Sequence, residues 1–283
     1  MKNYVKHVVK GGRLVGIIYQ NKVSLFDFAT RILVGEYQLF KDTDGRVSLS
    51  DDDRWLVIGS WNCGVKVFDL KNKASFTLPD AKSMTYLDIL NKRNEVCCGS
   101  NKDSGFEIFS FDSKSIIASS VRYERIIEMP KRMEYLAFAF GEEKVFILND
   151  AFEESWSWDW EAFALGSYCF NENWGVITGP SGELALMNLK ERSVKLLDGS
   201  GYCFSFVAPE FMGDSILVLA TDYKGGNESA LLRLSRNLEV EELLGKYPPP
   251  IFDCVIVDGE LLDRSGSVIE MASGKKLDEF DFE

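Results

Sequence analysis

A short apolar run, a tight turn and a second, alternating run recur along the chain. The clearest copy is Arg54-Trp55-Leu56-Val57-Ile58, which is followed by a turn ending at Gly64 and by the alternating segment 65–70. Residues 94–111 and 173–189 repeat this pattern closely. Fainter copies occupy residues 13–28, 135–149, 215–234 and 260–271. Apolar runs and strict alternation over four to eight residues are typical of β-strands, so each copy predicts a hairpin.

The hairpins recur at a regular interval. Their second strands align at Phe26, Phe68, Ser110, Leu148, Asn188, Arg233 and Glu270, which is six steps of about 41 residues each. A further β-prone run precedes each hairpin and another follows it, so each unit has four strands. Four-stranded repeats of about 40–45 residues are typical of propeller blades. The sequence therefore predicts an all-β fold, a single-domain β-propeller over residues 1–283 with seven four-stranded blades; six or eight blades are the alternatives.

Two dipeptides carry a family resemblance. Phe26-Asp27 and Phe68-Asp69 stand at the end of a predicted third strand, where WD-repeat proteins have Trp-Asp. The chain thus resembles the WD-repeat family of β-propellers over its whole length. The resemblance implies a closed ring of seven blades that serves mainly as a protein-binding platform. The Gly-His dipeptide of that family is absent, since His7 is the only histidine, so its hydrogen-bond network is not expected.

Composition indicates an ordinary soluble protein, with 46% hydrophobic and 27% charged residues. The six cysteines include no CxxC pair and several lie in apolar runs, which predicts free thiols in a reducing compartment and no zinc site. The N-terminus lacks the apolar segment of a signal peptide, and runs such as 216–220 are too short to span a bilayer. We therefore expect a cytoplasmic protein without membrane contact.

Catalytic motifs are not found. The sequence has no GxSxG, no phosphate-binding GxxxxGK[ST] and only one histidine for a nucleophilic site. Residues 42–45 suggest a calcium loop but lack the later ligands, and residues 51–53 are interpreted as a solvated turn. We therefore predict no enzyme, no catalytic residue, no metal and no cofactor. The alternative is a carboxylate-based glycoside hydrolase or lyase, or a small-molecule sensor, in the central channel, which Asp88 and Asp253 could face.

Charge is unevenly distributed along a chain whose net charge is −12. Residues 134–183 contain ten acidic residues and one basic residue, Lys144, and residues 184–283 contain 18 acidic and ten basic residues. In a ring, halves of the sequence become opposite sides, so one side should be strongly acidic. An acidic field opposes nucleic-acid binding and favours encounter with a basic protein. Solubility alone is the competing explanation.

Within the acidic block, three tryptophans alternate in the predicted outer strand of the fourth blade. Trp156, Trp158 and Trp160 therefore share one face. Either the indoles fill the space between blades, or at least one is exposed beside the surrounding carboxylates as an anchor for arginine or lysine. Trp61, in the tight turn of the first hairpin, is a further exposed candidate. The predicted partner-binding residues are Trp156, Trp158, Trp160, Glu153, Glu154, Asp159, Glu161 and Trp61.

These features predict a non-enzymatic, protein-binding β-propeller that is a monomer on its own. The specific hypothesis is an acidic inhibitor or immunity-type protein that binds and neutralises a basic partner. A general scaffold or adaptor is the competing version.

Overall fold

The computed structural model of the protein describes residues 7–19, 21–40, 46–60, 64–78, 86–100, 105–129, 132, 134–199, 201, 203–247, 251, 253–263, 265–271 and 275–280. Strands β1 to β28 form seven four-stranded sheets within these residues, each containing four consecutive strands in chain order. The only helices described are three 3-10 turns, at Asn91–Arg93, Phe140–Glu142 and Tyr223–Gly225. The fold is therefore an all-β, seven-bladed β-propeller, as the repeats predicted.

The chain divides into two compact units, which are described separately. Unit 1 comprises residues 1–128 and 134–157, and unit 2 comprises residues 129–133 and 158–283. The hypothesis of a single domain over residues 1–283 stays a prediction.

Unit 1 contains blades 1 to 3 and nearly all of blade 4, whose last strand crosses its boundary. Blade 1 consists of β1 His7–Lys10, β2 Leu14–Tyr19, β3 Lys22–Asp27 and β4 Leu33–Gln38. Blade 2 consists of β5 Arg46–Leu49, β6 Trp55–Ser60, β7 Gly64–Asp69 and β8 Ala74–Leu78. Blade 3 consists of β9 Tyr86–Leu90, β10 Glu95–Ser100, β11 Gly105–Ser110 and β12 Ser115–Ser120. Blade 4 consists of β13 Arg125–Glu128, β14 Tyr135–Ala139, β15 Lys144–Leu148 and β16 Glu154–Asp159.

Unit 2 contains blades 5 to 7. Blade 5 consists of β17 Tyr168–Phe170, β18 Trp174–Thr178, β19 Glu183–Asn188 and β20 Ser193–Asp198. Blade 6 consists of β21 Ser205–Met212, β22 Ser215–Thr221, β23 Ser229–Leu234 and β24 Val240–Tyr247. Blade 7 consists of β25 Cys254–Val257, β26 Glu260–Asp263, β27 Ser267–Glu270 and β28 Lys276–Glu279.

The burial of each strand follows its place in the blade. Second strands such as β2 and β6 are buried at every residue. In β6 one face packs against blade 1 and the other against blade 3, so both faces lie in the core. Fourth strands such as β20 and β28 are mostly exposed. First strands of consecutive blades contact one another, from β1 through β5 and β9 to β13 in unit 1 and from β17 through β21 to β25 in unit 2. The predicted order, from first strand inside to fourth strand outside, is thus correct within each unit.

The Phe-Asp dipeptides are scaffold features, as predicted. The Asp27 carboxylate accepts hydrogen bonds from the backbone N–H and hydroxyl of Thr30 and from Arg13 at 3.0 Å, closing the turn between β3 and β4. The backbone hydrogen bond is the main reason that the pKa of Asp27 lies below its usual value. Asp69 repeats the arrangement, with Asn72 in the turn and Arg54 at 3.2 Å.

The cysteines described by the structure, Cys97, Cys98, Cys169, Cys203 and Cys254, are all free thiols. Four of them are buried among apolar side chains, which matches the prediction of small core residues. No helix among the described residues has the length and hydropathy needed to cross a membrane.

Candidate partner-binding surface

Trp160 does not contribute to an exposed surface, which corrects its assignment as a binding residue. Its side chain is 2% exposed, and its indole N–H donates to the carbonyl oxygen of Ala164 at 3.2 Å. Trp158 and Trp156 precede it and are half-buried. For Trp160, therefore, the alternative in which the indole is packed inside the protein is correct.

The carboxylate of Glu154 is already engaged within unit 1. The Arg122 guanidinium forms an ion pair with it, and the Tyr123 hydroxyl donates to it at 3.1 Å. The same guanidinium donates to Glu142 at 2.9 Å, and these hydrogen bonds lower the pKa of Glu142. Glu153 accepts a hydrogen bond from the side-chain amide of Asn149 at 3.1 Å.

Arginines from outside residues 134–183 therefore offset part of the acidic block. In addition to Arg122, Arg93 forms an ion pair with Asp150. The net charge of this segment overstates the field that a partner would meet. Asp159 and Glu161 are exposed. Their roles in partner binding, with those of Trp156, Trp158 and Glu153, stay predictions, and Trp61 lies outside the described residues.

Unit 2 presents a second group of side chains at one edge of its sheets. In each blade the first strand begins, the second ends, the third begins and the fourth ends at the same edge, as the pairs Tyr168–Ile177 and Glu183–Asp198 show in blade 5. We call this the first-strand edge of unit 2. The connection 160–167 runs along it, as do the described residues of the next connection (199, 201, 203 and 204) and the hairpin turns 179–182 and 222–228.

Three aromatic side chains are exposed along this edge among the residues that the structure describes. Phe163 is 62% exposed and Phe204 is 61% exposed, both on connections between blades, and Tyr168 is 38% exposed at the start of β17. No signal in the sequence marks Phe163 and Phe204 as exposed, since Trp160 and Leu165 lie on the same connection as Phe163 and are buried.

Two buried threonines hold these connections in place. Thr178 ends β18, and its hydroxyl accepts a hydrogen bond from the N–H of Ser167 at 2.9 Å. In blade 6, the Thr221 hydroxyl accepts from the N–H of Ser205 at 3.1 Å. The carbonyl oxygen of Thr221 also accepts from the N–H of Phe204 at 2.9 Å. The exposed phenyl ring therefore extends from a backbone that is hydrogen-bonded to the sheet.

A cleft of about 620 Å³ opens beside Phe204 between the connection to blade 6 and two hairpin turns. Its lining residues are Ser181, Gly201, Cys203, Phe204, Asp222, Lys224 and Gly225. The turn after β22 has an unusual backbone, since Asp222 and Lys224 have φ angles of 45° and 54°. Left-handed conformations of residues other than glycine store strain, and they concentrate at functional sites.

The surroundings of the cleft are acidic. Glu183 accepts a hydrogen bond from the N–H of Ser181 at 2.9 Å, so its carboxylate lies beside the cleft lining. Burial, together with the negative charges of Asp198 and Glu183, raises the pKa of the Cys203 thiol to about 12. A thiol with this pKa stays protonated at neutral pH and is a poor nucleophile.

The lining of the cleft offers few groups for carboxylate or metal chemistry. Asp222 is the one carboxylate among its lining residues, whereas glycoside hydrolysis by carboxylates requires a pair on either side of the scissile bond. The described residues include no group of three or more potential ligands placed to hold a metal ion. Asp88, a candidate for the central channel, is held in unit 1 by two hydrogen bonds from Arg125.

Comparison with known proteins supports the fold and gives no family. No protein-family model matches the chain, and no curated protein matches it by sequence. Among solved structures, the chain is similar to a chain of the hydrazine synthase of Kuenenia stuttgartiensis, with a TM-score of 0.71 and 11% sequence identity over 96% of each chain. At this identity the likeness concerns the fold alone.

Proposed function

We propose that this seven-bladed β-propeller is a non-enzymatic protein-binding module whose partner docks on the first-strand edge of unit 2. The observation that carries the proposal is the exposure of Phe163, Tyr168 and Phe204 along one edge. Exposed aromatic side chains on rigidly held backbone are typical anchors of protein interfaces, since they bury a large area at a small cost in conformational entropy.

The partner is a basic protein. The net charge of the chain is −12, and residues 184–283, which form most of unit 2, carry 18 acidic against ten basic residues. Such a field accelerates encounter with a positively charged partner. An inhibitor or immunity-type protein that covers a basic toxic enzyme is the specific version of the proposal. The hydrolase or sensor acting in the central channel stays an alternative prediction.

Affinity capture from the native host tests the proposal with matched variants. Wild-type protein should retain a defined partner at low salt and lose it as the salt concentration rises, because charge attraction is screened. The double variant Phe163→Ser with Phe204→Ser should retain less of it. Val240→Ser is the control, since Val240 is 48% exposed at the start of β24, which lies at the opposite edge of the sheet. Equal capture by all three proteins would exclude the first-strand edge as the docking surface.

A further inference from the structure

We propose that the cleft beside Phe204 receives an arginine side chain of the partner. This inference rests on the proposed function, because it names the group that the first-strand edge recognises. The cleft supplies the two elements that bind a guanidinium, an aromatic ring and a carboxylate, in Phe204 and Asp222. A volume of about 620 Å³ also accommodates a long side chain and part of the backbone that carries it.

The aromatic wall favours arginine over lysine. A planar guanidinium stacks on a ring and keeps its N–H donors in the ring plane for carboxylates, whereas an ammonium group is compact and strongly hydrated. The protein uses the same pairing internally. The Arg236 guanidinium lies 4.6 Å from the ring centroid of Trp174 in unit 2, and that of Arg122 lies 4.7 Å from the ring centroid of Phe146 in unit 1.

The charges around the cleft also favour a cation. Asp222 and Lys224 balance each other among the lining residues, and Glu183 and Asp198 add two negative charges at the side of Cys203. The Lys224 ammonium lies 5.3 Å from the ring centroid of Tyr223, so the ring attracts this cation. The net charge of the cleft and its immediate surroundings is therefore negative.

The Asp222 carboxylate is oriented before any ligand binds. Its Oδ1 atom accepts a hydrogen bond from the N–H of Asn227 at 3.0 Å across the turn. Both residues have left-handed backbone conformations, with φ angles of 45° and 52°. A carboxylate fixed by a strained turn loses little freedom on binding, which favours recognition of one geometry.

Fluorescence anisotropy with short peptides tests the inference directly. The probes are fluorescein-labelled pentapeptides in which glycine alternates with arginine, lysine or glutamate. We expect wild-type protein to bind the arginine peptide most tightly and the glutamate peptide least. Asp222→Asn should weaken arginine binding about fivefold, the scale of one partly exposed ion pair. Phe204→Ala should weaken it about tenfold, through loss of the cation–π contact and of buried area.

The substitutions are chosen to preserve the fold. Asparagine tolerates the left-handed backbone of Asp222 and keeps an acceptor for the N–H of Asn227. Phe204 is exposed, so its truncation leaves no cavity in the core. Asp112→Asn, an exposed change in a turn of unit 1, makes the same charge change away from the cleft and should leave peptide binding unaltered.

Two results would overturn the inference. One is equal arginine binding by wild-type protein, Asp222→Asn and Phe204→Ala; the other is no preference for arginine over glutamate. If host capture still depends on Phe163 while either result holds, the cleft inference falls and the protein-binding function stands. If capture is indifferent to Phe163 and Phe204, both the docking surface and the inference that depends on it fall.

Discussion

The ion pair between Asp88 and Arg125 joins blades 3 and 4 in unit 1, and its energy can be predicted from its geometry. The guanidinium donates two hydrogen bonds, from Nε to Oδ2 at 2.9 Å and from NH2 to Oδ1 at 3.0 Å. Both side chains are largely buried, at 14% and 12% exposure. The Arg125 guanidinium also lies 5.1 Å from the ring centroid of Tyr86. A bidentate pair in such surroundings is screened little by solvent.

Removing one partner takes the bidentate counter-ion away from the other, largely buried charge. This typically costs about 3–5 kcal/mol, and residual exposure places Asp88→Ala and Arg125→Met near about 3 kcal/mol. The double variant removes both charges, so it should lose clearly less than the sum of the single variants. We expect a coupling energy of about 2 kcal/mol, within the range found for contacting residues.

Urea denaturation followed by tryptophan fluorescence measures these energies on the four proteins of the cycle. The exposed pair of Lys276 and Glu279, with donor and acceptor 2.6 Å apart, is the control, and its coupling should be at most about 0.5 kcal/mol. A coupling for Asp88 and Arg125 no larger than that of the control would refute the reasoning. It would mean that hydration of the two side chains in the unfolded protein is as favourable as their ion pair in the folded protein.

Three further predictions concern single side chains. Trp160→Ala should destabilise the protein by about 3–5 kcal/mol in urea denaturation, because a buried indole is removed, and a loss below about 1 kcal/mol would contradict its burial. Thr178→Val should lower the free energy of unfolding by about 1–3 kcal/mol, because the backbone N–H of Ser167 loses its acceptor. Thr178→Ser keeps the hydroxyl and should retain most of the wild-type stability. Equal destabilisation by the two variants would exclude the hydroxyl as the cause. Burial disfavours the charged carboxylate of Glu95 and raises its pKa above the usual 4.5. As the pH rises through these pKa values, ionisation of Glu95 therefore lowers the free energy of unfolding. Glu95→Gln should therefore stabilise the protein by about 1 kcal/mol at pH 7, with a gain that vanishes toward pH 4, and a pH-independent difference would contradict this.

The sequence by itself determined the fold class and the interval of the repeats, and it favoured the seven blades that the structure has over six or eight. Each of the seven positions that align the hairpins lies in the third strand of its blade. These features are local. Alternation of apolar residues, turn residues and a regular interval are all contained within about 40 consecutive residues, so the sequence displays them directly.

Only the tertiary structure decided which side chains a partner can reach. The alternation of tryptophans placed three of them on one face, but whether that face is covered depends on residues that lie far away in the chain. The same holds for charge. Glu154 belongs to the most acidic segment, yet the structure brings Arg122 to it from 32 residues earlier.

The first-strand edge of unit 2 shows the same division. Periodicity locates the connections, and it marks Phe163 and Phe204 as apolar, but it does not tell an exposed aromatic from a buried one. Their exposure follows from how connections and turns of neighbouring blades come together, with Thr178 and Thr221 holding the backbone. Secondary structure depends mainly on residues that are neighbours in the sequence. Burial and charge pairing depend on residues about one blade apart, which only folding brings together.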